Sequence, residues 1–184
     1  MIDLVGIALF CFVKESLEKN ISNIETSIVK TGLLGTAGNK GSVFLRFSYL
    51  DTNFAFACAH LAAGPKKNKD RITELIDIMH KPLLNPIINK EVQVRDHDVN
   101  FIFGDLNFRV DLEYKSAKSL VLGGEVSLLW GFEQFLKEKL KNKTLSILQE
   151  GPLTFLPTYK FDVNTNKWDT SKKQRTPSWY VLFV

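Results

Sequence analysis

The sequence predicts a mixed α/β domain, and three observations carry that prediction. Strand-like apolar runs are interleaved with stretches of helical periodicity. The chain has 184 residues, 45% of them hydrophobic and 24% charged, enough apolar material for one sizeable core. No internal repeat or low-complexity linker divides it, so residues 1–184 read as one two-layered or multilayered unit.

The elements follow in chain order. Leu4 to Val13 is almost continuously apolar, which fits a central strand covered on both faces. It is too short to span a bilayer, and no basic segment precedes it as in a signal peptide. A domain opening on a central strand implies a further N-terminal part. Thr26 to Leu34 and Ser42 to Leu50 read as strands, and Asp51-Thr52-Asn53 as the turn of a hairpin into Asn53 to Leu61. In that last strand Phe54, Phe56, Cys58 and His60 share one parity and Ala55, Ala57 and Ala59 the other. Ile72, Leu75, Ile76 and Met79 recur at i, i+3, i+4 and i+7, which predicts an amphipathic helix within Lys66 to Leu83. A strand from Asn100 follows, then helical patterns at Leu112 to Leu120 and Leu129 to Leu140.

Charge and cysteine content narrow the setting. The formal net charge is +4 and the pI near 9.0, which favours an anionic ligand without distinguishing phosphoinositide, nucleic acid or anionic membrane. Cys11 and Cys58 lie in apolar runs and read as buried thiols of a reducing, cytoplasmic compartment, not as a disulfide or metal site. No lipidation motif or amphipathic anchor marks either end.

Chemistry concentrates in Asn100 to Arg109, where a hydrophobic strand runs into a carboxylate, an amide and a guanidinium. Phe101, Phe103, Asp105 and Asn107 share one parity while the strand stays regular. Gly104 allows close approach where the side chains turn polar. An aspartate can orient and deprotonate water, an asparagine can hold that water or a phosphoryl oxygen, and an arginine pairs with phosphate. Gly38-Asn39-Lys40-Gly41 reads as a tight connection between strands, and His60-Leu61-Ala62-Ala63-Gly64 places an imidazole ring, that of His60, beside small residues. His80 and His97 read as satisfied surface histidines without ligand-like spacing. Lys160, Lys172, Lys173 and Arg175 gather around aromatic residues, as a polyphosphorylated ring requires, although such a run is also an ordinary solvated face.

GNKGSV at Gly38 to Val43, HLAAG at His60 to Gly64, FGDLNFR at Phe103 to Arg109, and PTYKFD through KKQRTPSW at Pro157 to Trp179 occur in this order. Together they resemble the catalytic domain of inositol polyphosphate 5-phosphatases, of the endonuclease/exonuclease/phosphatase superfamily. The resemblance implies a deoxyribonuclease-like four-layer fold, a β-sandwich flanked by helices, here incomplete. It also implies Mg²⁺-dependent hydrolysis of the 5-phosphate of phosphoinositide lipids or soluble inositol polyphosphates, in the cytoplasm or peripherally at membranes, with no nucleic acid partner. Carried over by residue, Asp105 orients or deprotonates water, Asn107 helps bind water and phosphate, and His60 stabilises the scissile phosphoryl oxygens. Asn39 and Lys40 border the pocket, Arg109 pairs with phosphate, Lys160, Lys173 and Arg175 grip the other ring phosphates, and Tyr159 lines the same pocket.

The departures shape the expectation too. The family's asparagine and its glutamate, the main Mg²⁺ ligand, fall upstream of Leu4, so the metal ligands of this chain stay unassigned. The family's Cys-Asp-Arg after the tryptophan is replaced by Tyr180-Val181-Leu182, a later Asp-His pair is absent, and Arg71 is followed by Ile72 where the family favours asparagine. The expectation is a partial domain with little or no turnover as 184 residues. Two other readings stand beside it: a non-catalytic phosphoinositide-binding module, and a nuclease of the same superfamily.

Overall fold

The computed structural model describes residues 1–32, 37–85 and 89–183. Its centre is a five-stranded sheet in the order β3-β4-β5-β8-β9, formed by β3 (Ile21–Gly32), β4 (Ala37–Tyr49), β5 (Thr52–His60), β8 (Val99–Asp105) and β9 (Val181–Phe183). All neighbours in this sheet are antiparallel except β5 and β8, whose parallel register pairs Phe56 with Phe101, Cys58 with Phe103 and His60 with Asp105. The crossover between them carries α2 (Asn68–Met79) and a small hairpin of β6 (Pro82–Asn85) and β7 (Lys90–Gln93). The remaining helices are α1 (Glu15–Glu18), α3 (Tyr114–Leu122) and α4 (Gln134–Lys139), and a 3-10 segment runs from Val126 to Phe132. Among the described residues no helix is long and apolar enough to cross a membrane.

The two parities of β5 build two different layers. Ala55, Ala57 and Ala59 are essentially inaccessible and join Leu75, Ile78 and Met79 of α2 and Phe135 of α4 in the main core. Methyl side chains on the strand let the helical layer approach closely, so a larger residue there meets a filled space. On the opposite face Phe47, Phe54, Phe56 and Phe101 form a file of stacked rings with neighbouring centroids 5.2–6.4 Å apart. That face is partly covered by a hairpin of β1 (Ile2–Leu4) and β2 (Ile7–Leu9), whose Leu4, Ile7 and Leu9 pack on Val43 and Leu45. The molecule is thus layered as hairpin, sheet and helices, a mixed α/β fold.

The N-terminal run corrects the sequence reading. It is no central strand: Gly6 at φ +78° turns it back on itself, so only alternate residues are buried. Val5, Phe10, Phe12 and Val13 are exposed, and Cys11 is an exposed thiol, not a buried one. Cys58 is half-buried and free, and burial raises its thiol. The hairpin between β4 and β5 forms as expected, but Tyr49 already pairs with Thr52, so the turn is Leu50-Asp51, with Leu50 at φ +53°. The Lys66 to Leu83 helix shortens to α2, the Leu112 to Leu120 pattern becomes α3, and the Leu129 to Leu140 pattern divides into the 3-10 segment and α4.

His97 is also corrected: it is a buried histidine, not a surface one. Its Nδ1 lies 2.9 Å from the Gln93 carbonyl and its Nε2 accepts the Arg46 Nε–H at 3.0 Å. The ring is therefore neutral, with its proton on Nδ1. Arg46, itself buried, is locked across the sheet by this bond. His80 is half-buried at the end of α2, with Nδ1 2.8 Å from the Ile76 carbonyl.

Candidate anion-binding site

The site begins at the ends of the parallel strands. Register alone makes His60 and Asp105 neighbours, and His60 Nε2 lies 3.4 Å from Asp105 Oδ2. Both remain accessible, at 26% and 36% of side-chain surface. Burial lowers the His60 imidazole below its ordinary value, Asp105 raises it and Lys40 lowers it further. Gly104 is required for this arrangement. It sits at φ +124°, and a Cβ there would run into the Ala59 carbonyl oxygen.

Beyond Asp105 the chain leaves the sheet, which changes the role of Asn107. It takes φ +57°, a left-handed conformation that asparagine tolerates better than most residues, while Leu106 and Phe108 enter the core. The parity shared with Asp105 is lost and the Asn107 side chain is buried. Its Nδ2 donates to the Leu61 carbonyl at 3.1 Å, its Oδ1 accepts from Arg109 Nη2 at 2.9 Å, and its backbone N–H donates to Asp105 Oδ1 at 3.2 Å. Asn107 thus brackets His60's strand end, Asp105 and Arg109. Arg109 also donates from Nε to the Asn107 carbonyl at 3.0 Å, and its guanidinium lies 3.8 Å over the Tyr180 ring and 5.3 Å from that of Tyr159. The two tyrosines stack with centroids 3.7 Å apart. Burial brings the Arg109 guanidinium down to about 10, still charged at neutral pH.

A cavity of about 610 Å³ is lined by the Ala63-Gly64-Pro65 loop after His60 and by Arg109, Tyr159, Lys173 and Arg175, while His60 and Asp105 themselves are not in its wall. One of its cations, Arg175, depends on an aspartate that the sequence reading left without a role. Asp169 is fully buried, accepts the Arg175 backbone N–H at 2.9 Å and its guanidinium at 3.2 Å, and lies 3.8 Å from Lys160 Nζ. Burial alone would raise its carboxyl, but the hydrogen bonds from Arg175 and Ser171 prevail and hold it well below the ordinary carboxylate range. Lys160 stands behind Arg175 on this aspartate and is absent from the cavity wall.

Of the expected residues, His60, Asp105, Asn107 and Arg109 are joined by short polar contacts, and Tyr159, Lys173 and Arg175 line the cavity with Arg109. Gly38 to Gly41 is no connection between strands: it lies within β4, and Gly41 at φ +145° lets β3 approach, since a Cβ would strike the Val29 carbonyl oxygen. The Asn39 side chain lies outside the described residues. Tyr180, Asp169, Arg71 and Gln134 are the site residues that sequence reasoning missed. Asp169 lay within a motif already quoted, but its importance comes from partners that only the folded loop supplies.

Two accessible acid–base side chains and a cavity lined by Arg109, Lys173 and Arg175 make this a candidate anion site. Residues 2–183 match the endonuclease/exonuclease/phosphatase family 2, and the chain belongs to that family. It is 39% identical over 177 residues to inositol-1,4,5-trisphosphate 5-phosphatase 1 of Schizosaccharomyces pombe, covering 96% of this chain and 16% of that protein. It is likewise 39% identical over 176 residues to human synaptojanin-2, covering 96% of this chain and 12% of that one. The solved inositol polyphosphate 5-phosphatase domain of SPsynaptojanin, in complex with inositol (1,4)-bisphosphate and calcium ion, superposes with a TM-score of 0.81 at 36% identity, over 92% of this chain and 48% of that one. The chain thus spans about half of that domain and a much smaller share of the curated relatives. Cimex nitrophorin in its ferrous NO complex also shares the fold, with a TM-score of 0.66 at 26% identity over 92% of this chain and 55% of that one. One fold carries distinct chemistries, so the side chains at the site must decide.

Proposed function

We propose that this chain is the phosphate-gripping part of an inositol polyphosphate 5-phosphatase domain, which hydrolyses the 5-phosphate monoester of a phosphorylated inositol. The observation that carries this reading is that Arg109, Lys173 and Arg175 line one cavity while Asn107 ties Arg109 to Asp105, the neighbour of His60. Fixed cations match the several phosphates of an inositol ring, and the SPsynaptojanin domain that the chain resembles is a complex with inositol (1,4)-bisphosphate.

In this reading Asp105, accessible and oriented by the Asn107 N–H, accepts a proton from the attacking water. His60 steadies the phosphoryl oxygens from the neighbouring strand, and Arg109, held flat on Tyr180, neutralises charge as the phosphoryl group transfers. Asn107 positions these three groups, because its amide is already committed to Leu61 and Arg109. A divalent cation, Mg²⁺ in this proposal, would act as a Lewis acid. Among the described residues, however, no group of three or more His, Cys, Asp or Glu is placed to hold a metal. One carboxylate and one imidazole do not fill the oxygen-rich octahedral shell that Mg²⁺ requires, so no step is assigned to it here. That shortage favours a second reading, binding of a phosphoinositide without turnover. The setting proposed for either is cytoplasmic, on a soluble inositol phosphate or at a lipid headgroup.

Titration calorimetry with inositol 1,4-bisphosphate tests the proposal. Binding should be saturable, weakened by Arg175→Ala and Lys173→Ala, and retained by Asp105→Asn. Release of phosphate from phosphatidylinositol 4,5-bisphosphate, abolished by Asp105→Asn, separates hydrolysis from binding alone. Affinity indifferent to both cation substitutions would place the ligand elsewhere and refute the reading.

A further inference from the structure

Beneath the cavity lies a polar pair that none of the roles above uses. Arg71 on α2 and Gln134 at the start of α4 are 0% and 3% exposed. Arg71 Nη1 donates to the carbonyls of Ala62 at 2.9 Å and Gly64 at 2.7 Å, and its Nη2 donates to Gln134 Oε1 at 2.6 Å. That oxygen also accepts the Arg109 backbone N–H at 3.1 Å, while Gln134 Nε2 donates to Asp111 Oδ1 at 2.6 Å. The backbone adds a second tie, since the Gln134 N–H donates to the Arg109 carbonyl at 2.9 Å.

The cavity has two walls remote in sequence, the Ala63-Gly64-Pro65 loop and the Arg109-Val110 segment. Arg71 holds the first, Gln134 holds the second and also donates from Nε2 to the Pro65 carbonyl of the first at 3.4 Å, and the Arg71–Gln134 bond joins the two. Burial of the Arg71 guanidinium carries a desolvation cost, which Glu74, Asp111, Asp70 and Glu133 partly offset. Lysine could not reproduce the fork, because its single nitrogen cannot reach two carbonyls and a side-chain amide in one plane.

We infer that Arg71 and Gln134 are positioning residues that set the gap between the two walls of the anion cavity, and hence which pair of phosphates spans it. This rests on reading the cavity as an inositol-phosphate site, so the test carries one readout that needs no ligand. In Gln134→Leu, affinity for inositol 1,4-bisphosphate should fall about tenfold or more, as expected when gripping groups shift by about 1 Å. Arg71→Lys should reproduce the loss, and the double variant should add little to either, the signature of a coupled pair. In amide hydrogen exchange of Gln134→Leu, the Arg109 N–H and the Lys67 N–H, which donates to the Gly64 carbonyl at 3.2 Å, should open together. Leu145→Ala, a cavity in the core at a residue that makes none of these bonds, supplies the control for lost stability alone: it should leave the affinity unchanged and speed exchange at these two amides no more than at other core amides. Equal effects of Gln134→Leu and Leu145→Ala would overturn the inference. If the unaltered chain binds no inositol 1,4-bisphosphate, the functional reading fails, and exchange by itself decides the positioning role.

Discussion

Asp169→Asn is the substitution whose effect the structure specifies most fully. Asparagine keeps the volume of the side chain but removes a charge that is wholly buried and accepts the Arg175 backbone N–H, the Arg175 guanidinium and the Ser171 backbone N–H, with Lys160 nearby. At least one amide hydrogen then faces a donor. Breaking one partner of a buried charge pair costs about 3–5 kcal/mol, and the half-exposed positions of Lys160 and Arg175 pull the expectation to the lower end, about 3 kcal/mol. Urea unfolding at neutral pH, extrapolated linearly, measures the difference. The sign with pH follows from the lowered carboxyl. Its stabilisation is complete above the ordinary value of 3.8 and is lost as pH falls from there toward the lower folded-state value. The gap between the native chain and Asp169→Asn should therefore narrow in acid. A loss below about 1 kcal/mol, or a gap independent of pH, would refute the assignment of Asp169 as the anchor of the cationic wall.

Gly104→Ala should destabilise by about 2–4 kcal/mol, because the φ of +124° is strained for alanine and the new Cβ meets the Ala59 backbone; an unchanged urea midpoint would refute that packing. His97 is buried neutral against Arg46, and burial first, then Arg46, lowers its imidazole. Its contribution is complete above the ordinary value of 6.5 and is lost as pH falls below it, so the unfolding midpoint should drop between about pH 7 and pH 5, and the drop should flatten in His97→Gln.

The strands and the amphipathic helix were legible because their burial is one-sided, and one-sided burial writes a period into the sequence. The Ala and Phe parities of β5 are a clear case: Ala55, Ala57 and Ala59 are fully buried, while Phe54, Phe56 and Cys58 on the other face are only partly so. Where the fold departs from the reading, the pattern was degenerate. A continuous apolar run fits a central strand as well as a short hairpin, and only Gly6 marked the turn. Glycines in GNKG suggested a connection, whereas Gly41 serves strand-to-strand contact within β4. His60, Asp105 and Arg109 could be read at the site because their chemistry lies at strand ends. Arg71 with Gln134, and Asp169 with Lys160 and Arg175, owe their meaning to partners from separate segments or from a folded loop, which no local pattern announces.

The parallel pairing of β5 with β8 has a kinetic consequence. Antiparallel neighbours such as β4 and β5 can zip from a tight turn, but His60 and Asp105 meet only after α2 and the β6–β7 hairpin have been looped across and docked. That closure is paid in chain entropy before any contact repays it, which delays it relative to the local hairpins. The His60–Asp105 pairing is therefore among the last features to assemble and among the first to be lost. A ligand spanning both strands acts as a clasp on that step, raising apparent stability with its concentration and slowing unfolding of the whole sheet.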